Sequence, residues 1–386
     1  PTAKVYGNTN PHSAEFDDGL FFNSGARGFY MKAGETFPGR VGLKPFEFTA
    51  KENDYVTDVF TDHAVDFIER HADRPFMLYL PYTAPHEPLH GKPKDLKELF
   101  PDVFAGRADA AIIDEVSGSK YRQISSDMKA YHYAAMVYNM DKGIGRIMDT
   151  LKQRGIADNT LVIFTCDNGA QWGCNYPGSG HKVDTMDGGI RVPFIVWSAG
   201  IEQSAASGAV YNGLVSLADV APTLVGEAGA AEYPYPSDGT NMMPYWMGEK
   251  APLEGRSFFW SNIGWGQSLT HKLTGGAEFS DEPLTDRKMS QAVYIKDDQK
   301  VTSWHLYYSD NTGAVYARLP DVAGQANPAL MVTERSPVAG QFPVEGPGRA
   351  LLDEMIDLVV ESNRDLAPDW TGAPDLDDHS WWMMDE

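Results

Sequence analysis

Asp167 and Asn168 stand directly after the apolar run Leu161-Val162-Ile163-Phe164-Thr165 and before Gly169. A carboxylate beside a carboxamide presents two hard oxygens, the donor type that Ca2+ or Mg2+ takes. Asp-Asn-Gly is equally a turn sequence, so the pair alone reads either way. His86 follows a second apolar run, Phe76-Met77-Leu78-Tyr79-Leu80, in the segment Pro81-Tyr82-Thr83-Ala84-Pro85-His86. An imidazole there can bind an anion, carry a proton or be a satisfied structural group. His181 and Lys182 lie in a glycine-rich loop, Gly178 to Gly189, that runs into the apolar stretch Ile190 to Trp197. The chain holds 32 basic and 54 acidic residues, a net charge of −22, so a His-Lys pair in a glycine loop stands out as a place for an anion. Its alternative is a solvated surface loop. Trp172, Asn175, Tyr176 and His181 flank the same region; they either contact a sugar, with Trp172 stacking on it, or pack the loop.

A further pattern, His86-Glu87-Pro88-Leu89-His90, matches H-E-x-x-H, whose two imidazoles bind zinc from one face of a helix. Pro85 and Pro88 argue against a helix there, because proline removes a backbone donor and restricts the residue before it. The zinc reading is set aside on that ground.

Elements must place these residues. Val59, Phe60, Ala64, Phe67 and Ile68 recur at helical spacing behind Thr57 or Asp58 as N-cap. Tyr133, Val137, Met140, Ile144, Ile147 and Leu151 predict one apolar stripe on a helix from about Tyr131 to Arg154, stopped by Gly155. Leu217 to Val225 reads as a short helix with Pro222 near its start. The runs 76–80, 161–165 and 190–197 read as buried strands. Strand and helix alternating in this way predict an α/β body, doubly wound around a mostly parallel sheet, whose sites lie at strand carboxyl ends. Residues 1–53 read as loops with short strands. Ser257–Trp260, Gln291–Ile295, Thr302–Tyr308 and Ala314–Ala317 predict a smaller antiparallel sheet, with a helix at Arg349–Glu361 and an acidic tail. The expected domains are 1–255 and 256–386.

Together PYTAPHEP (Pro81 to Pro88), MVYNMDKGIGRIMDTL (Met136 to Leu151), LVIFTCDNG (Leu161 to Gly169), GGIRVPF (Gly188 to Phe194) and VSLADVAPTLV (Val215 to Val225) resemble the sulfatase family of the alkaline phosphatase superfamily. The resemblance is strong from about Asp54 to Gly229. It implies that Asp167 and Asn168 bind a divalent cation, usually Ca2+, with Mg2+ as the alternative. It also implies that Lys182 binds a sulfate oxygen and the bridging oxygen, and that His86 binds the sulfate or helps to protonate the leaving group. Asp187 stands where the family has Glu.

The family nucleophile is a formylglycine made from Cys or Ser in a Cys/Ser-x-Pro/Ala-x-Arg motif, and no such motif occurs here. Cys166 and Cys174 lack it, and Ser24-Gly25-Ala26-Arg27 has its Arg one position early. Asp17-Asp18 has no apolar strand before it and matches a Gly-Phe-Asp segment rather than the family's paired metal-binding Asp residues. The expectation is therefore a longer protein whose nucleophile and first strands precede Pro1. The resemblance implies hydrolysis of a sulfate ester on a carbohydrate or another small molecule, with Trp260, Trp265 and His271 near the rim, in the periplasm or outside the cell. The alternatives are a phosphodiesterase or phosphonate hydrolase of the same superfamily, or a sulfatase-like binding protein without turnover. A charge of −22 argues against nucleic acid and anionic membranes as partners, and no apolar run reaches the ~18 residues of a membrane-spanning helix. Oligomeric state and a Cys166–Cys174 bridge are left open.

Overall fold

A computed structural model describes residues 2–4, 16–20, 28–117, 123–171, 181–182, 187–204, 207–230, 237–263, 286–296, 299–309 and 314–317. The chain divides into two units. The first is Pro1–Ile163 with Val196–Glu202, and the second is Phe164–Ile195 with Gln203–Glu386.

The first unit holds a five-stranded sheet in the order β4-β3-β2-β1-β5. Its strands are β1 (Thr2–Lys4), β2 (Asp18–Leu20), β3 (Thr36–Val41), β4 (Lys44–Thr49) and β5 (Met77–Tyr79). β1 lies parallel to both β2 and β5, whereas β2–β3 and β3–β4 are antiparallel. The sheet is thus mixed where the sequence pattern predicts mostly parallel strands. The cause is local: Gly42 and Leu43 both have positive φ (54° and 66°), the two-residue turn that closes a tight hairpin. A hairpin can join only antiparallel strands. Gly39 faces the Phe46 ring across it, where a Cβ would fall 2.2 Å from the ring. Phe46 in turn stacks on His63 of the first helix. Within the stretch read as loops with short strands, two strands thus run to six residues each.

That helix, α1 (Val56–His71), begins after Tyr55, without a side-chain cap. It packs against α5 (Ser126–Gln153), capped by Ser125, whose Oγ accepts from Met128 N at 3.2 Å. Phe67, Ile68 and Leu151 form one core cluster, with Phe76, Leu78, Ile147 and Val162 against it. Between the two helices run α2 (Pro93–Leu99), α3 (Pro101–Phe104) and α4 (Asp109–Val116), which the periodicity does not predict. Leu96, Phe104 and Ile112 form a buried cluster with Ala135 of α5. Asp18 is a structural anchor at the start of β2, ion-paired with Arg70 and hydrogen-bonded to His71 Nε2 at 3.2 Å. Burial works to raise its pKa, but the Gly42 N–H, Arg70 and His71 outweigh that and hold it below the usual range.

β6 (Val162–Thr165) pairs with β7 (Phe194–Trp197) as a separate two-stranded sheet. Asp187–Ile190 forms a helical turn, α6, so the predicted strand 190–197 shortens to its last four residues. α7 (Ala199–Glu202) follows β7. In the second unit a 3-10 turn at Leu217–Asp219 carries a Ser216/Asp219 capping box and leads into α8 (Val220–Glu227). Asp219 is fully buried and bidentate to Arg256, at 2.5 and 3.0 Å. After α9 (Met243–Trp246) come β8 (Ser257–Ile263), β9 (Asp286–Lys296), β10 (Gln299–Ser309) and β11 (Ala314–Ala317). They form an antiparallel sheet in the order β11-β10-β9-β8, as the sequence pattern predicts. The predicted helix 349–361, the acidic tail, Trp265 and His271 lie outside the described residues.

Candidate active site

Asp167 and Asn168 immediately follow β6, past Cys166. Asp167 is exposed and Asn168 half-buried. Gly169 is buried, and its N–H donates to Gly189 O at 2.8 Å. A Cβ at Gly169 would lie 1.8 Å from Gly188 O. Gly169 is thus a glycine because two backbones touch, which accounts for the glycine of Asp-Asn-Gly more closely than a turn does. Lys182 N donates to Ala170 O at 3.2 Å. These two backbone bonds draw the Asp167-Asn168 loop, the Lys182 loop and the Asp187–Ile190 turn into one cluster in the second unit. His181 lies beside Lys182 and is exposed, its Nδ1 2.7 Å from Lys182 O. Trp172, Asn175, Tyr176 and Cys174 lie outside the described residues.

Burial, with the Asp167 carboxylate adding to it, pushes the Cys166 thiol up. A thiol so placed stays protonated at neutral pH and is no nucleophile. Asp187 sits at the start of α6, and Arg191 N donates to its carbonyl at 2.9 Å. As to a metal, Asp167 and Asn168 fit a hard cation by donor type. Among the described residues no group of three or more His, Cys, Asp or Glu is arranged to hold one. Calcium takes six to eight oxygens, so this pair alone would not complete a coordination sphere.

His86 belongs to the first unit. It is exposed, on the non-helical segment between β5 and α2. Its N–H donates to Thr83 O at 2.8 Å, and its Nδ1 lies 2.7 Å from Glu87 O. A carbonyl only accepts, so Nδ1 carries the hydrogen and Nε2 is left to take a second partner. His90, four residues on, is buried. Its Nδ1 accepts from Phe29 N at 3.3 Å and its Nε2 donates to Val116 O at 2.8 Å. Both ring nitrogens are engaged and no helix is present, which disposes of the H-E-x-x-H zinc reading.

Sequence reasoning missed the groups that hold this segment. Tyr55 donates to His90 O at 2.7 Å, Tyr30 to Gly91 O at 3.0 Å, and Gly91 N to His132 Nδ1 at 2.9 Å. Burial pushes His90 down to about 4; burial, with His90 and Arg107 adding, does the same for His132. Both are neutral at physiological pH. The one signal in the sequence was His132, directly before the apolar stripe that begins at Tyr133.

The chain is 32% identical over 227 residues to the uncharacterized sulfatase YdeN of Escherichia coli K12, spanning 56% of this chain and 34% of that protein. It is 30% identical over 201 residues to human N-acetylgalactosamine-6-sulfatase, spanning 49% and 32%. The chain therefore spans about a third of the length of these curated relatives. Among solved structures, Ps i-CgsB in complex with k-i-k-neocarrahexaose overlays with a TM-score of 0.51 at 23% identity, over 78% of this chain and 63% of that one. That likeness extends the alkaline phosphatase-type α/β fold to this chain. The model of the Sulfatase family matches residues 3–230, reaching through the N-terminal strands as well as the loops around Asp167 and Lys182, and the chain belongs to that family.

Proposed function

We propose that the protein containing this chain hydrolyses a sulfate ester borne by a carbohydrate. The observation that carries the reading is the loop cluster in which Asp167-Asn168, Lys182 and the Gly188-Gly189 turn are tied by backbone bonds after one strand. Lys182 binds sulfate oxygens and the bridging oxygen through its ammonium. His86 binds sulfate or, protonated on Nε2, delivers a proton toward the departing alkoxide. Positive groups aimed where negative charge develops lower the barrier to sulfuryl transfer. Asp167 and Asn168 hold a divalent cation, Ca2+ or Mg2+, which supplies Lewis-acid polarisation of the sulfate when bound. Trp172 and His181 contact the sugar. The nucleophile is a formylglycine outside this chain. Residues 1–255 are the catalytic domain, 256–386 a smaller domain, and the protein works in the periplasm or outside the cell. The curated relatives named for sulfatase activity on an amino sugar support the substrate class.

The test is turnover of sulfated monosaccharides against bis-aryl phosphates and aryl phosphonates, using the reading frame that contains this chain together with whatever precedes Pro1. Release of sulfate, lost on chelation and restored by calcium, is expected. Faster hydrolysis of the phosphorus esters would overturn it in favour of a phosphodiesterase or phosphonate hydrolase.

A further inference from the structure

The segment that carries His86 is fastened at both ends. At its start, Thr61 Oγ1 donates to Thr57 O at 2.8 Å, so the Tyr82 hydroxyl, 2.8 Å away, must be the donor to Thr61. This contact is seated under Gly143 of α5. A Cβ there would fall 2.5 Å from Thr61 Oγ1 and 3.1 Å from the Tyr82 oxygen. At the other end the His90 and Gly91 peptide groups are held by Tyr55, Tyr30 and His132. Gly91 rests directly on α5: a Cβ would lie 2.8 Å from Ala135 Cβ and 3.1 Å from His132 O. Burial, with Tyr30, Asp58 and Asp95 adding, pushes the Tyr55 phenol well up, so it persists as a donor. Between the two fastenings His86 remains exposed, with its tautomer set by Glu87 O.

Resting on the proposed role of His86, we propose that Tyr55 and His132 are positioning residues. They fix the His90 and Gly91 peptide groups from buried sites just before α1 and on α5 and so set where His86 meets a bound anion. Neither touches substrate. Fixing one catalytic group in this way matters because small misplacements cost large factors in rate.

A double-mutant cycle on the full formylglycine-bearing protein tests this. Tyr55→Phe removes one oxygen. His132→Leu removes the acceptor for Gly91 N–H, and His132→Asn returns an acceptor near the Nδ1 position. Tyr55→Phe and His132→Leu are expected to lower kcat by about tenfold with KM little changed, and His132→Asn to restore most of it. In a His86→Ala background each should change kcat by less than about twofold, because there is nothing left to position. A tenfold loss that persists without His86, or no loss in Tyr55→Phe, would overturn the positioning role alone. Wild-type turnover in His86→Ala would overturn the reading of His86 and this proposal with it. If His132→Leu fails to fold, Tyr55→Phe carries the same cycle.

Discussion

His86 and His90 are four residues apart and have opposite environments. One is exposed with its Nδ1–H fixed; the other is buried with both nitrogens engaged. Removing an anion-stabilising donor from an active site typically costs 10²–10³ in kcat. His86→Ala and Lys182→Ala in the full protein should each lower turnover about 10²-fold or more in a sulfate-release assay, and a wild-type rate in either variant would remove that residue from the chemistry. The buried histidines have a consequence for stability. His90 and His132 sit near 4 in the fold and near 6.5 when unfolded. Below pH 6.5 the unfolded chain takes up protons that the fold refuses, so stability is complete above about pH 7 and declines down to about pH 4. By linkage each imidazole contributes roughly 3 kcal/mol to that decline. Urea midpoints should therefore fall between pH 7 and 4.5, with a shallower slope in His132→Leu; equal slopes would show that His132 is not the group responsible.

At the scale of elements, α5 shows what periodicity can and cannot read. Tyr133, Val137, Met140 and Ile144 predict its inner face, yet Val137 is 36% exposed, while His132, Ala135, Met136, Asn139 and Gly143 are buried. The buried face is turned because three of its members are polar or glycine. Each serves a neighbour: His132 takes Gly91 N–H, Asn139 donates to Asp58 at 3.1 Å, and Gly143 admits Tyr82. A glycine inside an exposed helix costs about 1 kcal/mol relative to alanine, and only the contact reveals what offsets it. By contrast the strands β5 and β6, the antiparallel sheet and the loops after the strands are legible, because their apolar runs and motifs are local. The hairpin of residues 36–49 is not, because Pro38 and Gly39 break a plain alternation and its turn is Gly42-Leu43. The Asp219–Arg256 pair belongs to this scale too, joining the α8 cap to the approach of β8. Asp219 is fully buried and also accepts from Ser216 N and Thr240 N, both at 2.8 Å. Arg256→Ala leaves that charge buried without its cation and should destabilise the second unit by about 3–5 kcal/mol, read as a lowered thermal transition. An unchanged transition would mean that the pair is not closed in solution.

For the whole molecule, the governing quantity is a net charge of −22. Self-repulsion of that size is screened within about 10 Å at 0.1 M salt. The melting temperature should rise between about 10 mM and 0.3 M NaCl, and a fall would show that attractive pairs such as Arg146–Asp62 and Arg154–Glu69 outweigh the net repulsion. Among the described residues no helix is long and apolar enough to cross a membrane.

The close approach at Gly169 reaches further than the site itself. With Gly188 O occupying the place of any Cβ, and Ala218 O doing the same at Gly239 at 1.9 Å, these two positions admit no other amino acid without moving backbone. Gly106 and Gly145 have open space around theirs. Tolerance to random substitution is therefore set here by where main chains press together, and Gly169 is among the least evolvable of the described positions although it carries no chemistry of its own.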